Sequence, residues 1–255
     1  MRTALTIAGS DSSGGAGIQA DLKTFGAHGV FGMSAITAVT AQNTLGVSAI
    51  ETMPPSLVTA QIDAVAVDIP PDATKIGMLA NAVIIEAVAL ALERLRLPNV
   101  VLDPVMVAKS HARLLDEAAV AALRTRLLPL ADVVTPNVPE AEALTGLRVA
   151  SVDDLHRAAR RLVEMGAGAA LVKGGHLPGP AIDVLWDGTQ AIELVADRID
   201  SRQTHGTGCT LSSAIAARLA LGDDVVSACR AAKAYVTRGI ERAPGLGHGH
   251  GPLMH

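Results

Sequence analysis

Short segments without a polar face alternate along this chain with longer stretches of helical periodicity. The apolar segments fall at residues 3–8, 33–40, 74–78, 100–102, 133–134, 169–173 and 181–185. The helical patterns fall at 16–28, 56–67, 82–95, 117–128, 139–144, 152–165, 209–221 and 225–242. A strand with one wet face alternates polar and apolar residues. Several of these are apolar throughout, as strands are when helices cover both sheet faces. The expected architecture is therefore α/β with a largely parallel sheet, closed by two or more helices late in the chain. Helix starts are marked by Ser151-Val152-Asp153-Asp154 and by Asn137-Val138-Pro139-Glu140, each a capping residue with acid in the first turn. The 255 residues suffice for one large domain, 1–255, and no repeat or low-complexity linker divides them.

In open parallel sheets, ligands bind where strands end. The residues that follow each apolar segment are Gly9-Ser10-Asp11-Ser12-Ser13-Gly14-Gly15-Ala16-Gly17, Ala41-Gln42-Asn43-Thr44, Gly77-Met78, Asp103-Pro104-Val105-Met106, Thr135-Pro136-Asn137 and Lys173-Gly174-Gly175-His176. Polar and glycine-rich residues thus collect at one edge of the sheet.

The stretch His205-Gly206-Thr207-Gly208-Cys209-Thr210 leads straight into an alanine-rich helix. Two readings are open. It is a glycine-capped loop before a core helix, or it is an anion site built from a helix N-terminus and its unpaired amides. Cys209 stands in the first turn, where the dipole stabilises a thiolate. On the second reading this is a phosphoryl-transfer loop.

The other candidates also have two readings each. Gly14-Gly15-Ala16-Gly17 is a tight turn or a loop that lets backbone approach a small ligand. Its spacing does not fit a dinucleotide fingerprint, and no P-loop motif occurs. Asp103 and Glu140 are a turn former and a helix-dipole partner, or two carboxylates for Mg²⁺, which takes one or two of them beside substrate phosphates. Lys173 before Gly174-Gly175 is a turn lysine or faces a phosphate. Lys233 is a solvated helix residue or a phosphate contact. His205 orients its loop or acts as a base. The terminal His248, His250 and His255 lie in a glycine-rich stretch that reads as a mobile tail rather than a metal site.

Composition closes other classes. Aromatic residues are 2% of the chain, too few for a base-stacking platform. The net charge of -4 without a basic run argues against nucleic acid and anionic membrane as partners. Apolar runs are short and broken by charge, so no membrane span or signal peptide is expected. Two cysteines, Cys209 and Cys229, make no disulfide framework, and a cytoplasmic location follows.

In combination, the blocks Thr6–Asp11, Ser13–Thr24, Val39–Thr44, Lys75–Leu79, Asp103–Met106, Thr135–Glu142, Val172–His176 and the glycine loop at 205–210 run in order through nearly the whole chain. They resemble the hydroxymethylpyrimidine/phosphomethylpyrimidine kinases of the ribokinase-like superfamily. The resemblance implies a three-layer α/β/α sandwich with a mostly parallel sheet and a small lid, and a homodimer. It implies two successive ATP-dependent phosphorylations of 4-amino-5-hydroxymethyl-2-methylpyrimidine in thiamine biosynthesis. By motif, Gln42 would bond the ring edge, with Gly9, Ala16, Asp21, Met78 and Val105 lining its pocket. Gly206, Thr207, Gly208 and Cys209 would form the anion hole, and Lys233 would contact phosphate. Lys173 and Thr210 would border the nucleotide, and Asp103 and Glu140 would organise Mg²⁺ and ATP. Cys209 stands where many superfamily members carry an aspartate base, and is expected as a weak base or positioner. The chain departs from the pattern at His111-Ala112, where Gly-Asp is expected after Ala108-Lys109-Ser110, and also at Gln203 and Met254. A pyridoxal kinase-like activity and a catalytically silent precursor sensor are the competing readings.

Overall fold

A computed structural model describes residues 1–106 and 115–255. The His111-Ala112 departure lies outside the described residues. Among the described residues nine strands form one sheet: β1 (Thr3–Asp11), β2 (Phe31–Asn43), β3 (Gly46–Thr52), β4 (Ala73–Ile76), β5 (Val100–Leu102), β6 (Val133–Val134), β7 (Ala169–Lys173), β8 (Ala181–Trp186) and β9 (Ala191–Ala196). Their order is β3-β2-β1-β4-β5-β6-β7-β8-β9. The six strands β2-β1-β4-β5-β6-β7 pair in parallel, and β3, β8 and β9 join antiparallel at the two edges.

The helices are α1 (Gly17–Ala27), α2 (Pro55–Asp68), α3 (Ala82–Leu95), α4 (Glu117–Ala122), α5 (Val138–Thr145), α6 (Val152–Glu164), α7 (Thr207–Ala220) and α8 (Val225–Glu241). Alternate strand residues feed two separate cores. Val100, Leu102, Ala170 and Val172 pack with the side carrying α2 to α6. Val101, Ala169 and Leu171 pack with α1, α7 and α8 on the other side. Both faces are covered, which is why the central strands read as apolar runs. The result is the three-layer α/β/α sandwich expected from the sequence.

The sequence pattern did not mark β3 or β9. Both are edge strands whose residues largely face water, so packing supplies no apolar signature. The β8–β9 hairpin does carry a turn signal: Asp187 Oδ1 accepts from Thr189 N and Gln190 N, each at 2.8 Å, and Gly188 adopts φ 94°.

The glycine-rich end is not a mobile tail. His250 N donates to Thr44 O at 2.9 Å, His205 N donates to Gly251 O at 3.0 Å, and Leu253 is buried. The glycines that suggested flexibility instead let this backbone lie flat against its neighbours.

Candidate active site at the carboxyl edge of the sheet

The loop after β1 is organised by one carboxylate. Asp11 Oδ1 accepts from Ser13 N at 2.9 Å and Oδ2 from Ala16 N at 2.8 Å. His205 Nε2 lies 2.8 Å from Asp11 Oδ2, both side chains buried. Burial raises the Asp11 pKa, but the His205 and Ser13 hydrogen bonds outweigh it and hold the carboxyl below its usual range. His205 therefore has the loop-orienting role. It ties the β1 loop to the glycine loop that opens α7.

Gly206 caps α7 with φ 80°, and a Cβ there would overlap the Gly15 carbonyl oxygen. Only glycine permits that backbone and that contact. The two glycine loops therefore lie against each other, with the first-turn amides of α7 beside them, at the positive end of the helix dipole.

Three candidates meet at the next position. A Cβ on Gly208 would lie 3.3 Å from Lys173 Nζ and 3.5 Å from Asp103 Oδ2. Lys173 Nζ is 3.3 Å from Asp103 Oδ1, and Ser212 Oγ is 3.4 Å from Oδ2. The ends of β5 and β7 and the start of α7 thus place a cation, a carboxylate and the glycine loop within contact of one another. Glu140 is buried nearby. Its Oε2 accepts from Asn137 N at 2.8 Å, completing a capping box with Asn137. Burial pushes Glu140 up to about 7, Lys173 opposes this, and Asp103 adds to it. Glu140 has the helix-capping role of the simpler reading, and it also shares charge with the Asp103–Lys173 pair.

No group of three or more His, Cys, Asp or Glu side chains suited to a metal occurs among the described residues. Two neighbouring carboxylates suit Mg²⁺, which takes most of its shell from water and nucleotide phosphates. Asp103 and Glu140 fit that pattern.

The candidate acceptor side lies along β1, β2 and the end of β4. A Cβ on Gly9 would come 2.6 Å from Met78 Cε, so Gly9 leaves the space that Met78 fills. Gln42 Oε1 accepts from Thr40 Oγ1 at 3.1 Å, and Gln42 Nε2 lies 3.4 Å from His205 Nε2. Ala16, at the start of α1, and Val105, after β5, are half-buried.

Three expected site residues are enclosed or engaged within the protein itself. Asp21, expected in the pocket wall, is fully enclosed beneath it. Its carboxylate accepts from Thr6 Oγ1 and Ser213 Oγ, each at 2.6 Å, and from Lys75 Nζ at 2.8 and 3.0 Å. Lys233, expected on phosphate, is held by Asp183 Oδ2 at 2.7 Å and Ala181 O at 3.0 Å. Asp183 Oδ1 in turn accepts from Gly174 N at 3.0 Å, so Lys233 braces the Lys173-Gly174 turn from behind. Thr210, expected at the nucleotide, is 1% exposed, and its Oγ1 is without a partner among the described residues.

Lys75 was not singled out by residue reading. Its ammonium is wholly buried on Asp21, and Asp21, Cys209 and Asp103 all favour its charged form, so its pKa is raised despite burial. The sequence signal was a lysine inside a short buried strand. Cys209 departs from the stabilised thiolate expected at a helix start. Burial raises its thiol to about 11, against the pull of Lys75 and of the Gly17 amide. Desolvation beats the helix dipole, so the thiol is protonated at neutral pH.

Comparisons with known proteins agree with this architecture. The chain is 50% identical to the hydroxymethylpyrimidine/phosphomethylpyrimidine kinase of Bacillus subtilis, over 99% of this chain and 94% of that one. It is 54% identical over 98% of its length to the thiamine biosynthesis bifunctional protein ThiED of Geobacter sulfurreducens, and spans 51% of that longer protein. The fold superposes with TM-score 0.94 on an ADP complex of Bacillus subtilis pyridoxal kinase, 42% identical, covering 100% of this chain and 97% of the other. The sequence also matches the phosphomethylpyrimidine kinase family over residues 11–254. With the glycine loop, the Asp103–Lys173 pair and the three-layer fold in place, the chain belongs to the phosphomethylpyrimidine kinase family.

Proposed function

We propose that this chain phosphorylates 4-amino-5-hydroxymethyl-2-methylpyrimidine with ATP, and then its monophosphate to the diphosphate, in thiamine diphosphate biosynthesis. One observation carries the reading. Gly208 of the α7 loop lies against both Lys173 and Asp103, so an anion hole and a cation–carboxylate pair face the same space.

The acceptor ring lies between Gly9–Met78 and the Gln42 amide, with its hydroxymethyl group toward Cys209. The acceptor oxygen forms a bond to the γ-phosphorus while the bond to the bridging β–γ oxygen breaks and ADP leaves. The amides of Gly206 to Cys209 bind the oxygens on which charge rests. Lys173 adds positive charge on the nucleotide side. Asp103 and Glu140 would hold Mg²⁺, which would supply charge neutralisation on the phosphates. The transition state is loose, so the acceptor proton leaves late, passing to an oxygen of the transferred phosphoryl group, and positioning outweighs base strength. A neutral Cys209 thiol fits a positioner that accepts or donates a hydrogen bond to the acceptor oxygen. Asp21, Lys75 and Lys233 act from behind the walls of the site. The reading includes a cytoplasmic homodimer. No described helix is long and apolar enough to cross a membrane.

The deciding experiment supplies Mg-ATP with either the pyrimidine alcohol or pyridoxal and identifies products by mass. Pyrimidine diphosphate is expected to accumulate, with pyridoxal the poorer substrate. The pyridoxal kinase likeness makes pyridoxal the meaningful competitor. Preferred pyridoxal turnover overturns the pyrimidine reading, and binding without ADP formation supports a sensor.

A further inference from the structure

The backbone after α8 makes two sets of contacts that bear on the site. Gly249 N donates to Thr44 Oγ1 at 3.3 Å and His250 N to Thr44 O at 2.9 Å. Thr44 lies two residues beyond Gln42. Two residues after Gly249, Gly251 O accepts from His205 N at 3.0 Å, and Pro252 bridges His205 in parallel. His205 immediately precedes Gly206 of the anion loop. The segment is anchored beyond this by buried Leu253 and by Met254 N on Gly239 O of α8 at 3.1 Å.

The fit is close. A Cβ on Gly249 would overlap the Thr44 carbonyl, and one on Gly251 would overlap the Gln203 amide oxygen. Pro252 Cβ lies where a side chain on Gly15 would reach it at 3.2 Å, so the segment also backs the β1 loop.

The geometry points to residues 249–254 as a positioning strap that sets the spacing between the Gln42 edge and the Gly206–Cys209 loop. This rests on the pyrimidine kinase reading, in which the ring is held at Gln42 and its hydroxymethyl oxygen reacts at the loop. The acceptor is rigid between those two points. An error of about 1 Å in their spacing costs roughly 10²-fold in rate. On the nucleotide side, Lys173 and Asp103 are held by each other and by Ser212 Oγ, not by residues 249–254, so the strap reaches them only through the loop.

Gly249→Ala is the smallest change the Thr44 contact does not accommodate. Steady-state kinetics for the pyrimidine alcohol and for Mg-ATP, thermal melting, and hydrogen exchange at residues 205–210 are measured on the full chain. The expected result is a rise in KM for the pyrimidine and a fall in kcat, each about tenfold or more, with KM for ATP little changed. Amides 206–209 exchange faster while the cooperative melt persists. Val67→Ala, on α2 and 79% exposed, keeps wild-type parameters. If Gly249→Ala does not fold, Pro252→Gly, which loosens the His205 bridge without adding bulk, shows the same split in smaller measure. A merely structural segment would lower the melting temperature and leave both KM values unchanged, and that outcome overturns the proposal. Exchange at 206–209 reads the strap without turnover. If wild type fails to phosphorylate the pyrimidine, the functional reading falls, and unchanged exchange in both variants overturns the strap separately.

Discussion

Lys75 and Asp21 form a fully enclosed ion pair under the α7 loop, and all four acceptor positions of the carboxylate are taken by Thr6, Ser213 and the ammonium. Removing one partner strands a buried charge. Lys75→Met is therefore expected to lower unfolding free energy by roughly 3–5 kcal/mol in denaturant titration, and the double change Asp21→Asn with Lys75→Met to recover part of the loss. Cys209 shows the same physics from the other side. Its thiol sits at about 11 because burial outweighs the Lys75 charge. Alkylation of Cys209 in the native protein is expected to be slow at neutral pH and to climb toward pH 11. A thiolate titrating near 7 would contradict this. Cys209→Ala with saturating pyrimidine should reduce turnover without abolishing it, and unchanged turnover would leave only the backbone hole. The residue types here were readable in the sequence, but their charge states were not. Charge state depends on which atoms the fold packs around them.

At the scale of elements, the carboxyl-edge loops act in pairs. The β1 loop and the α7 loop meet through Gly15 and Gly206, so Gly206→Ala must push both apart. A kcat loss on the order of 10²–10³-fold is expected from misplaced hole donors, with the melt still cooperative. The turn after β7 is braced twice. Lys233 reaches it through Asp183 and Gly174, and Arg198 donates to the carbonyls of Gly175, Leu177 and Gly179 at 2.9, 2.5 and 2.7 Å. Lys233→Met is expected to raise KM for ATP more than KM for the pyrimidine, because it releases the Lys173 turn rather than a phosphate contact. Equal changes in both constants would favour a direct phosphate role. Helix α5 was legible down to its capping Asn137 and first-turn Glu140, and the structure closes the two into a capping box over three residues. Strands β3 and β9 were not, because an exposed edge strand is defined by its partner and not by its own pattern.

For the whole molecule, the docked end adds a pH response. Burial, with Lys23 adding, lowers His255 from 6.5 to about 4. A histidine lowered in the fold favours the neutral form, so its contribution is present above 6.5 and is lost as pH falls from 6.5 through 4. Stability measured across that window should decline, and His255→Asn should flatten the decline. A slope unchanged in the variant would assign it to other groups. The sequence by itself determined the layers, the edge of the sheet where polar and glycine-rich loops collect and the family, because apolar period and glycine-rich strand ends are local properties of the chain. Tertiary structure alone decided that Asp21 lies under the site, that Lys233 serves Asp183, that Cys209 is neutral and that residues 249–254 hold two loops together. Each of these depends on contacts between residues far apart in the chain, where burial and backbone approach, rather than local pattern, set the balance.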